Sequence, residues 1–231
     1  MKIVSWNCGG DFFRKFSDIS ELDADVYIIQ NCENPTKSEF EDYKDWAGNH
    51  LWVGGPHGTG IGVFSKGELS LVRADVNSTP FEWFLPCIVG EEFHLLAVWT
   101  RAANSPTFPY IGQLWKWLQR NHEFLEGGNS GVVGDFNSNG RYVVWDRWWN
   151  HHDVVTQLFS LGLNSLYHVS RSESHGNESE PTSYAGHLLS EPDHTDYAFL
   201  SEKILPSSSL EISSTYKWRH LSNHMPLIIR A

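Results

Sequence analysis

The sequence Gly131-Val132-Val133-Gly134-Asp135-Phe136-Asn137 decides the fold. It begins as a short apolar run, which predicts a strand that emerges from a sheet. Its last four residues, Gly-Asp-Phe-Asn, predict a turn directly after that strand. Polar side chains at the end of a buried strand are well placed to line a cleft. Asp135 and Asn137 are therefore the first candidates for a functional site.

Polar residues follow other predicted apolar strands in the same way. Strands are predicted over 2–7, 25–30, 93–99, 195–200 and 225–229. The polar residues beside them are Asn7, Asn31, Glu33, His194, Asp196 and the run Ser222-Asn223-His224. Each of these residues alone is more often a turn residue or a satisfied hydrogen-bonding group than a catalyst. Taken singly, none of them decides a function.

Helices are predicted between the strands. Apolar residues at offsets of three, four and seven predict a helix over 110–125, and a second helix is predicted over 154–161, ending at Gly162. Strands occur both in runs and between helices, which favours mixed sheets with helices outside them. The loop-like stretch 170–181 is too short for a domain linker. One α/β domain spanning residues 1–231 is therefore expected.

The composition excludes several classes of protein. The chain has 231 residues, of which 40% are hydrophobic, and its 11 Trp, 13 Phe and 8 Tyr are typical of a folded core and not of a disordered chain. No apolar stretch approaches the roughly 18 residues of a membrane helix, and the amino terminus lacks the apolar segment of a signal peptide. Three cysteines without metal spacing do not indicate a disulfide framework. We expect a cytoplasmic protein and a monomer.

The net charge of −11 bears on possible partners. Residues 18–45 alone carry nine acidic residues and two lysines. Because the nucleic-acid backbone rewards Lys and Arg, this charge argues against a module that forms a stable complex with DNA or RNA. It argues less against an enzyme, since a cleft can be locally positive or can bind a metal under any net charge.

The polar motifs, taken in chain order, resemble those of a known family. The motifs are Ser5-Trp6-Asn7, an apolar strand ending in Gln30, Gly134–Asn137, His194-Thr195-Asp196-Tyr197 and Ser222-Asn223-His224. This ordered set resembles the endonuclease–exonuclease–phosphatase family, which includes apurinic endonucleases, pancreatic-type deoxyribonucleases, deadenylases, sphingomyelinases and inositol polyphosphate phosphatases. The resemblance covers residues 2–229. It implies a four-layer sandwich, with two mixed β-sheets packed face to face and helices on both outer faces.

The resemblance also implies hydrolysis of a phosphate ester by an activated water, with Mg²⁺ or Mn²⁺ as cofactor. A phosphodiester is anionic and repels hydroxide, so a hard cation on oxygen ligands is needed to neutralise it. Asp135 resembles the water-activating carboxylate, and Asn137 resembles the amide that holds a phosphate oxygen. By the same resemblance, Asn7 places the metal or phosphate, Asp196 belongs to the metal network, and His224 contacts the scissile phosphate.

Two departures from the family pattern affect the implied metal site. The family commonly has Gln-Glu where this chain has Gln30-Asn31, and that Glu is the principal metal ligand. Because alternate residues of a strand share a face, Glu33 is expected to reach the cleft and to bind the metal together with Asn31, Asn7 and Asp196. Asn223 stands where the family has Asp. Both changes remove a negative charge, which should weaken the affinity for a divalent cation.

Four further residues are candidates for substrate contact. Arg101 follows a predicted strand and is a natural phosphate ligand, and His194 and Asn223 flank the candidate catalytic residues. Trp148 lies shortly after the Gly-Asp-Phe-Asn turn and could stack on a nucleobase. Core packing is the more ordinary role for such a tryptophan.

Three functions remain open on these grounds. The first is a metal-dependent phosphodiesterase, with nuclease action on DNA or RNA expected. The second is a phosphoesterase for a small molecule or lipid headgroup, and the third is a binding module with the same fold and an impaired metal site. The absent Glu at position 31 favours the third. Retention of Asp135, Asn137, Asp196 and His224 favours an enzyme.

Overall fold

The computed structural model describes residues 1–55, 58–103 and 105–231. The strands within these ranges are β1 (Lys2–Asn7), β2 (Val26–Glu33), β3 (Asn49–Gly54), β4 (Thr59–Ser65), β5 (Leu71–Arg73), β6 (Phe84–Val89), β7 (Phe93–Trp99), β8 (Asn129–Asp135), β9 (Leu163–Ser165), β10 (Ser183–Tyr184), β11 (Pro192–Asp193), β12 (Asp196–Ser201), β13 (Ser209–Ile212) and β14 (Leu227–Arg230). The α-helices are α1 (Phe16–Ser20), α2 (Glu41–Ala47), α3 (Ile111–Asn121), α4 (His151–Ser160), α5 (Leu166–Arg171) and α6 (Thr215–Trp218).

Twelve of these strands form two six-stranded sheets. The first sheet has the order β13-β14-β1-β2-β4-β3 and the second has the order β5-β6-β7-β8-β12-β9. Each sheet contains one central parallel pair, β1 with β2 and β7 with β8, flanked on both sides by antiparallel pairs. The two sheets therefore repeat one mixed pattern, as the sequence predicts.

Three buried apolar clusters show how the layers pack. The first cluster lies between the sheets and joins residues such as Ile28 of β2 to Leu95 of β7. The second packs α1, α2 and α6 against the first sheet, and the third packs α3 and α4 against the second sheet. Helix, sheet, sheet and helix thus form four layers, which confirms the predicted sandwich. Among the described residues, no helix combines the length and apolar character that crossing a bilayer requires.

Local side-chain interactions set some element bounds that hydrophobic periodicity does not show. Helix α4 begins three residues before the predicted start, because Asn150 and Asp153 form a capping box that satisfies the first N–H groups. Strand β6 contains Pro86, and proline is unusual inside a strand, so the sequence pattern does not predict this strand. The Pro86 carbonyl still accepts a hydrogen bond from the Ala74 N–H at 3.1 Å.

Gly134 allows β7 and β8 to approach closely just before Asp135. Its φ is +147°, and a Cβ at this position would lie 1.9 Å from the backbone oxygen of Val98 on β7. A side chain here would force the two central strands of the second sheet apart. The glycine therefore fixes the position from which Asp135 leaves the sheet.

We predict that Gly134→Ala lowers the free energy of unfolding by roughly 2–5 kcal/mol, because the methyl group adds both a backbone clash and a strained conformation. Urea denaturation followed by circular dichroism measures this loss. The control is Gly67→Ala, whose φ of +62° is also positive but whose Cβ would meet nothing within 4 Å. This control should lose only about 1–2 kcal/mol. Equal losses in the two variants would contradict the close-approach explanation.

Candidate active site

Four polar side chains from separate parts of the chain converge at one end of the two sheets. Asn7 ends β1 and Asp135 ends β8, while Asp196 begins β12 directly opposite Asp135 in the antiparallel register. His224 lies between α6 and β14 and forms an isolated bridge with Ser183. All four side chains are buried. The convergence that the sequence could only suggest is therefore present.

The Asp135 carboxylate is held by three hydrogen bonds. Its Oδ2 accepts from Nδ2 of Asn7 and from Nδ2 of Asn137, both at 2.8 Å, and its Oδ1 accepts from the Asn137 N–H at 2.8 Å. Asn137 has a φ of +43°, a conformation that asparagine tolerates better than most residues. The turn after β8 thus folds back so that Asn137 fixes the carboxylate.

The His224 ring is oriented by the second carboxylate of the site. Its Nδ1 donates to Oδ2 of Asp196 at 2.9 Å, and that oxygen also accepts from the hydroxyl groups of Thr182 at 2.8 Å and Thr195 at 3.2 Å. The opposite ring nitrogen, Nε2, lies 4.0 Å from Oδ2 of Asp135. The imidazole therefore stands between the two carboxylates, with one nitrogen directed at each.

Ser222 joins the backbone of two site residues. Its hydroxyl donates to the Asn7 carbonyl at 2.6 Å and accepts from the His224 N–H at 3.1 Å. Trp6 adds a hydrogen bond from its indole N–H to the His224 carbonyl at 2.9 Å. These bonds fix the segment that carries His224 to the end of β1.

Burial and nearby charges together shift the pKa values of Asp135 and His224. Burial raises the pKa of Asp135 to about 7, although the charge of His224 opposes the shift. Burial alone would lower the pKa of His224, but the carboxylates of Asp196 and Asp135 outweigh it and raise that pKa to about 9. Near neutral pH the site therefore holds a cationic imidazole beside a carboxyl group that can gain or lose a proton.

The chemistry of this donor set fits a cation. One ligand atom each from Asp135, Asp196 and His224 lies within 4.8 Å of the other two. Two buried carboxylates face a single imidazole, so the cluster has a net charge of −1 when both carboxylates are ionised and His224 is protonated. Burial of this charge raises the pKa of Asp135, and a cation would compensate it. Carboxylate oxygens are the ligands that hard divalent cations prefer.

The structure gives the Glu33 carboxylate a role other than the predicted one. A bulge at Asn31, whose φ is +62°, makes residues 30 and 32 pair with consecutive residues of β4, so the assumed alternation along β2 is broken. Both Glu33 oxygens then accept backbone N–H groups, from Asp11 at 2.8 Å and from Phe12 at 2.9 Å. Glu33 anchors the loop after β1 and is not part of the Asp135 cluster. Asn31, half-buried, accepts a hydrogen bond at its carbonyl from Cys8.

The predicted phosphate contacts separate into two groups. Arg101 is exposed, follows Thr100 at the end of β7, and packs its guanidinium over Trp99 at 4.6 Å. Thr100 is part of the site wall, because its carbonyl accepts from Nδ2 of Asn137 at 3.0 Å. Arg101 therefore follows a residue of the site wall, and its contact with phosphate stays a prediction. His194 does not suit that role, since its ring is buried between other side chains and its Nδ1 pairs with the Glu180 carbonyl.

Asn223 and Trp148 differ in how far the structure supports their predicted roles. Asn223 is half-buried beside His224, but Asp196, and not Asn223, holds the His224 ring. Trp148 is 63% exposed and touches Phe108 only edge-on, whereas Trp149 is 4% exposed and belongs to the core beside α3 and α4. Only the first of these two tryptophans is free to contact a ligand.

Thr182 is a site residue to which sequence reasoning gave no role. Its hydroxyl donates to Asp196 and also accepts from the N–H groups of Thr195, at 3.0 Å, and Asp196, at 3.1 Å. Nothing in the local sequence around Thr182 shows that this residue lies against β12. The pairing that places it there spans a loop of more than ten residues.

Comparison with solved structures identifies the class of fold. A 3′-5′ exonuclease from Neisseria meningitidis matches with a TM-score of 0.74 and 16% identity, covering 100% of this chain and 99% of that one. An AP endonuclease from Archaeoglobus fulgidus matches with a TM-score of 0.69 and 14% identity, covering 100% and 98%. The APE2 catalytic domain from Xenopus laevis matches with a TM-score of 0.67 and 16% identity, covering 100% and 91%.

These matches span nearly the full length of each neighbour, at identities of 14–16%. No protein-family model matches the chain, and neither does any curated protein sequence. The chain therefore shares the fold of these solved structures, and that fold is the four-layer sandwich that the resemblance of its polar motifs implied.

We predict that Asp196→Asn lowers the melting temperature in a pH-dependent way. The pKa of His224 is raised to about 9 in the folded state, against roughly 6.5 when unfolded. The stabilisation is therefore complete below about pH 6.5 and is lost as the pH rises through about 9. The loss of melting temperature relative to wild type should be largest near pH 6 and should shrink near pH 10.

The control for this measurement is Glu211→Gln, which removes an exposed contact with Arg230. Because exposed ion pairs contribute about 0–1 kcal/mol, this variant should shift the melting temperature little at either pH. An Asp196→Asn loss that stays constant between the two pH values would show that the carboxylate does not hold a protonated His224.

Proposed function

We propose that this protein is a divalent-metal-dependent phosphoester hydrolase and that its substrate is a nucleic acid. The observation that carries the proposal is the pairing of Asp135 with His224, whose Nε2 lies 4.0 Å from the carboxylate. A carboxyl group with a pKa near 7 beside a cationic imidazole is suited to take a proton from water and to receive an anionic phosphate.

In this mechanism Asp135 takes a proton from the attacking water as the water oxygen bonds to phosphorus. The ester P–O bond breaks with its electron pair on the leaving oxygen, which takes a proton from solvent to become the alcohol. Asn7 and Asn137 hold the carboxylate in one orientation through its three hydrogen bonds. His224, fixed by Asp196, donates its Nε2–H to a phosphate oxygen and balances the charge that develops there. Each side chain therefore has one task, set by the partner that holds it.

A divalent cation, Mg²⁺ or Mn²⁺, would be held by the carboxylates of Asp135 and Asp196, because the protonated His224 ring has no lone pair to offer it. When bound, it would supply the positive charge that lets a nucleophile approach an anionic phosphate. Oδ2 of Asp196 already accepts three hydrogen bonds and Oδ2 of Asp135 accepts two, which leaves few free lone pairs for the cation on these oxygens. The absence of a carboxylate at position 31 predicts weak affinity.

A nucleic-acid substrate is supported by the neighbours and by two exposed tryptophans that follow Asn137 in the chain. The three structural neighbours are named as an exonuclease, an AP endonuclease and the catalytic domain of APE2. Trp145 and Trp148 are 93% and 63% exposed and lie on the segment that follows Asn137. Exposed aromatic rings near a phosphate site can stack on unpaired bases.

The net charge of −11 favours a second candidate, a phosphoesterase for a small phosphorylated molecule. Such a substrate needs no extended basic surface. A panel with single-stranded DNA, single-stranded RNA, a strand with a 3′-phosphate, an abasic duplex and a soluble phosphodiester distinguishes the two candidate functions.

A cytoplasmic location and a monomeric state remain predictions.

We predict that Asp135→Asn and His224→Ala each reduce turnover by on the order of 10²–10⁴ on the substrate that wild type cleaves, because one loses the proton acceptor and the other the donor to phosphate. Steady-state rates with Mg²⁺, with Mn²⁺ and with EDTA measure the effect. The matched controls are Asp146→Asn and His152→Ala, both at exposed positions, which should retain full turnover. Near-normal rates in either site variant would place the chemistry elsewhere.

We predict that Trp148→Ala weakens binding of single-stranded nucleic acid by roughly 1–3 kcal/mol without a large loss of stability, because an exposed ring contributes through stacking. Fluorescence anisotropy with a catalytically inactive Asp135→Asn background measures the affinity. Trp149→Ala is the contrasting variant, and its buried ring should instead cost about 3–5 kcal/mol of folding free energy. Unchanged affinity in the Trp148 variant would remove this residue from the substrate surface.

A further inference from the structure

A second cluster of metal-ligating side chains lies apart from the Asp135 site. It consists of His168 in α5 and of His175 and Glu178 in the loop that follows, and we call it the His168 cluster. One nitrogen of each ring and one oxygen of Glu178 lie within 4.8 Å of one another. The side chains of His168 and Glu178 are 8% and 1% exposed, and His175 is half-buried.

We propose that the His168 cluster binds a transition-metal ion, with Zn²⁺ as the best-fitting ion. Two imidazole nitrogens and one carboxylate oxygen form a ligand set that zinc binds in proteins, with a fourth position left for water or another group. Neither the mechanism at Asp135 nor the motifs of the sequence use these three residues.

The spacing of two ligands already suits one ion. Nε2 of His168 lies 3.1 Å from Oε1 of Glu178. Two ligands at about 2.0–2.1 Å from a tetrahedral zinc ion would lie about 3.3 Å apart. A proton joins the two atoms in the metal-free protein, and the ion would take its place.

His175 must turn to complete the site. Its ring stacks on that of His168 with centroids 3.5 Å apart and 22° between the planes. The nitrogen lone pairs of two stacked rings lie in nearly parallel planes and cannot both point at one metal ion. The His175 ring therefore has to rotate out of the stack. A cavity of about 200 Å³ borders both rings and provides room for that rotation and a path for the ion.

Hydrogen bonds to the outer atoms fix the orientation of the ligands. Ser165 lies 2.7 Å from Nδ1 of His168, and Asn139 donates to Oε2 of Glu178 at 3.0 Å. His151 lies 3.0 Å from Nδ1 of His175 through its own Nε2. Metal-binding histidines and carboxylates are usually held in this way by a second layer of partners.

An ion at this place would stabilise the loop that supports the active site. The loop after α5 leads to Thr182, whose hydroxyl holds Asp196 at 2.8 Å. The backbone of His175 and Gly176 packs so tightly on Gly140 that a Cβ there would lie 2.8 Å from the His175 carbonyl carbon. The loop is thus already fixed at one point, and the metal would fix it at a second.

The test uses the full-length protein after metal removal, with Zn²⁺ and Co²⁺ as probes. Isothermal titration gives stoichiometry and affinity, visible absorption of bound Co²⁺ reports tetrahedral nitrogen and oxygen ligands, and the melting temperature reports stabilisation. We expect one zinc ion in the His168 cluster per chain. Glu178→Gln and His168→Ala should each lower zinc affinity at least about 100-fold, since even loss of a second-layer partner costs about 10–100-fold.

Two controls separate this site from the rest of the molecule. His152→Ala removes an exposed histidine next to His151 and should leave zinc affinity unchanged. The double variant Asp135→Asn with His224→Ala should keep the zinc-dependent rise in melting temperature, so failure of the proposed hydrolase function does not affect this test. Glu178→Gln preserves shape and is checked for folding by circular dichroism.

Three results would overturn the proposal. The first is wild type that binds no zinc. The second is zinc affinity unchanged in both Glu178→Gln and His168→Ala. The third is zinc binding that disappears in the active-site double variant. Any of these would make the cluster a hydrogen-bond network that only positions its loop.

Discussion

Burial of the Asp135 carboxylate is the constraint on which the rest of the structure depends. A carboxylate without water is costly unless hydrogen bonds and opposite charge compensate it. Here one donor, Asn7, comes from the first sheet, and the other, Asn137, comes from the turn after β8 in the second sheet. The bond between Asn7 and Asp135 therefore forms only when the two sheets pack face to face. Folding and assembly of the site are the same event.

The second carboxylate has a different environment and for that reason a different role. Asp196 accepts hydrogen bonds from two threonine hydroxyl groups and from His224. Its negative charge therefore orients the imidazole ring and stabilises the protonated form of that ring. Asp135 faces the other ring nitrogen at 4.0 Å and is free to exchange a proton. The two acids lie opposite each other on β8 and β12 but have different hydrogen-bond partners, which supports the proposed roles of Asp196 as a positioning residue and of Asp135 as a base.

Local sequence predicted the parts of the molecule that depend on continuous patterns. Strand β7 has the predicted bounds because seven residues in succession are buried or nearly so, and Asn7, Asp135, Asp196 and His224 were found from their positions beside strands. Features set by distant contacts were missed. The bulge at residue 31 depends on pairing with β4, and it reverses the face on which Glu33 lies. The His168 cluster forms only when the loop after α5 folds back on that helix.

In the proposed hydrolysis, a water activated by Asp135 attacks phosphorus. Hydrolysis in ¹⁸O-labelled water tests it most directly, with the panel substrate that is cleaved in the presence of Mg²⁺ or Mn²⁺ and with mass spectrometry of both products. Attack at phosphorus places one ¹⁸O atom in the phosphate-bearing product and none in the alcohol. Label in the alcohol, or absence of cleavage of every phosphoester in the panel at saturating metal, would contradict it.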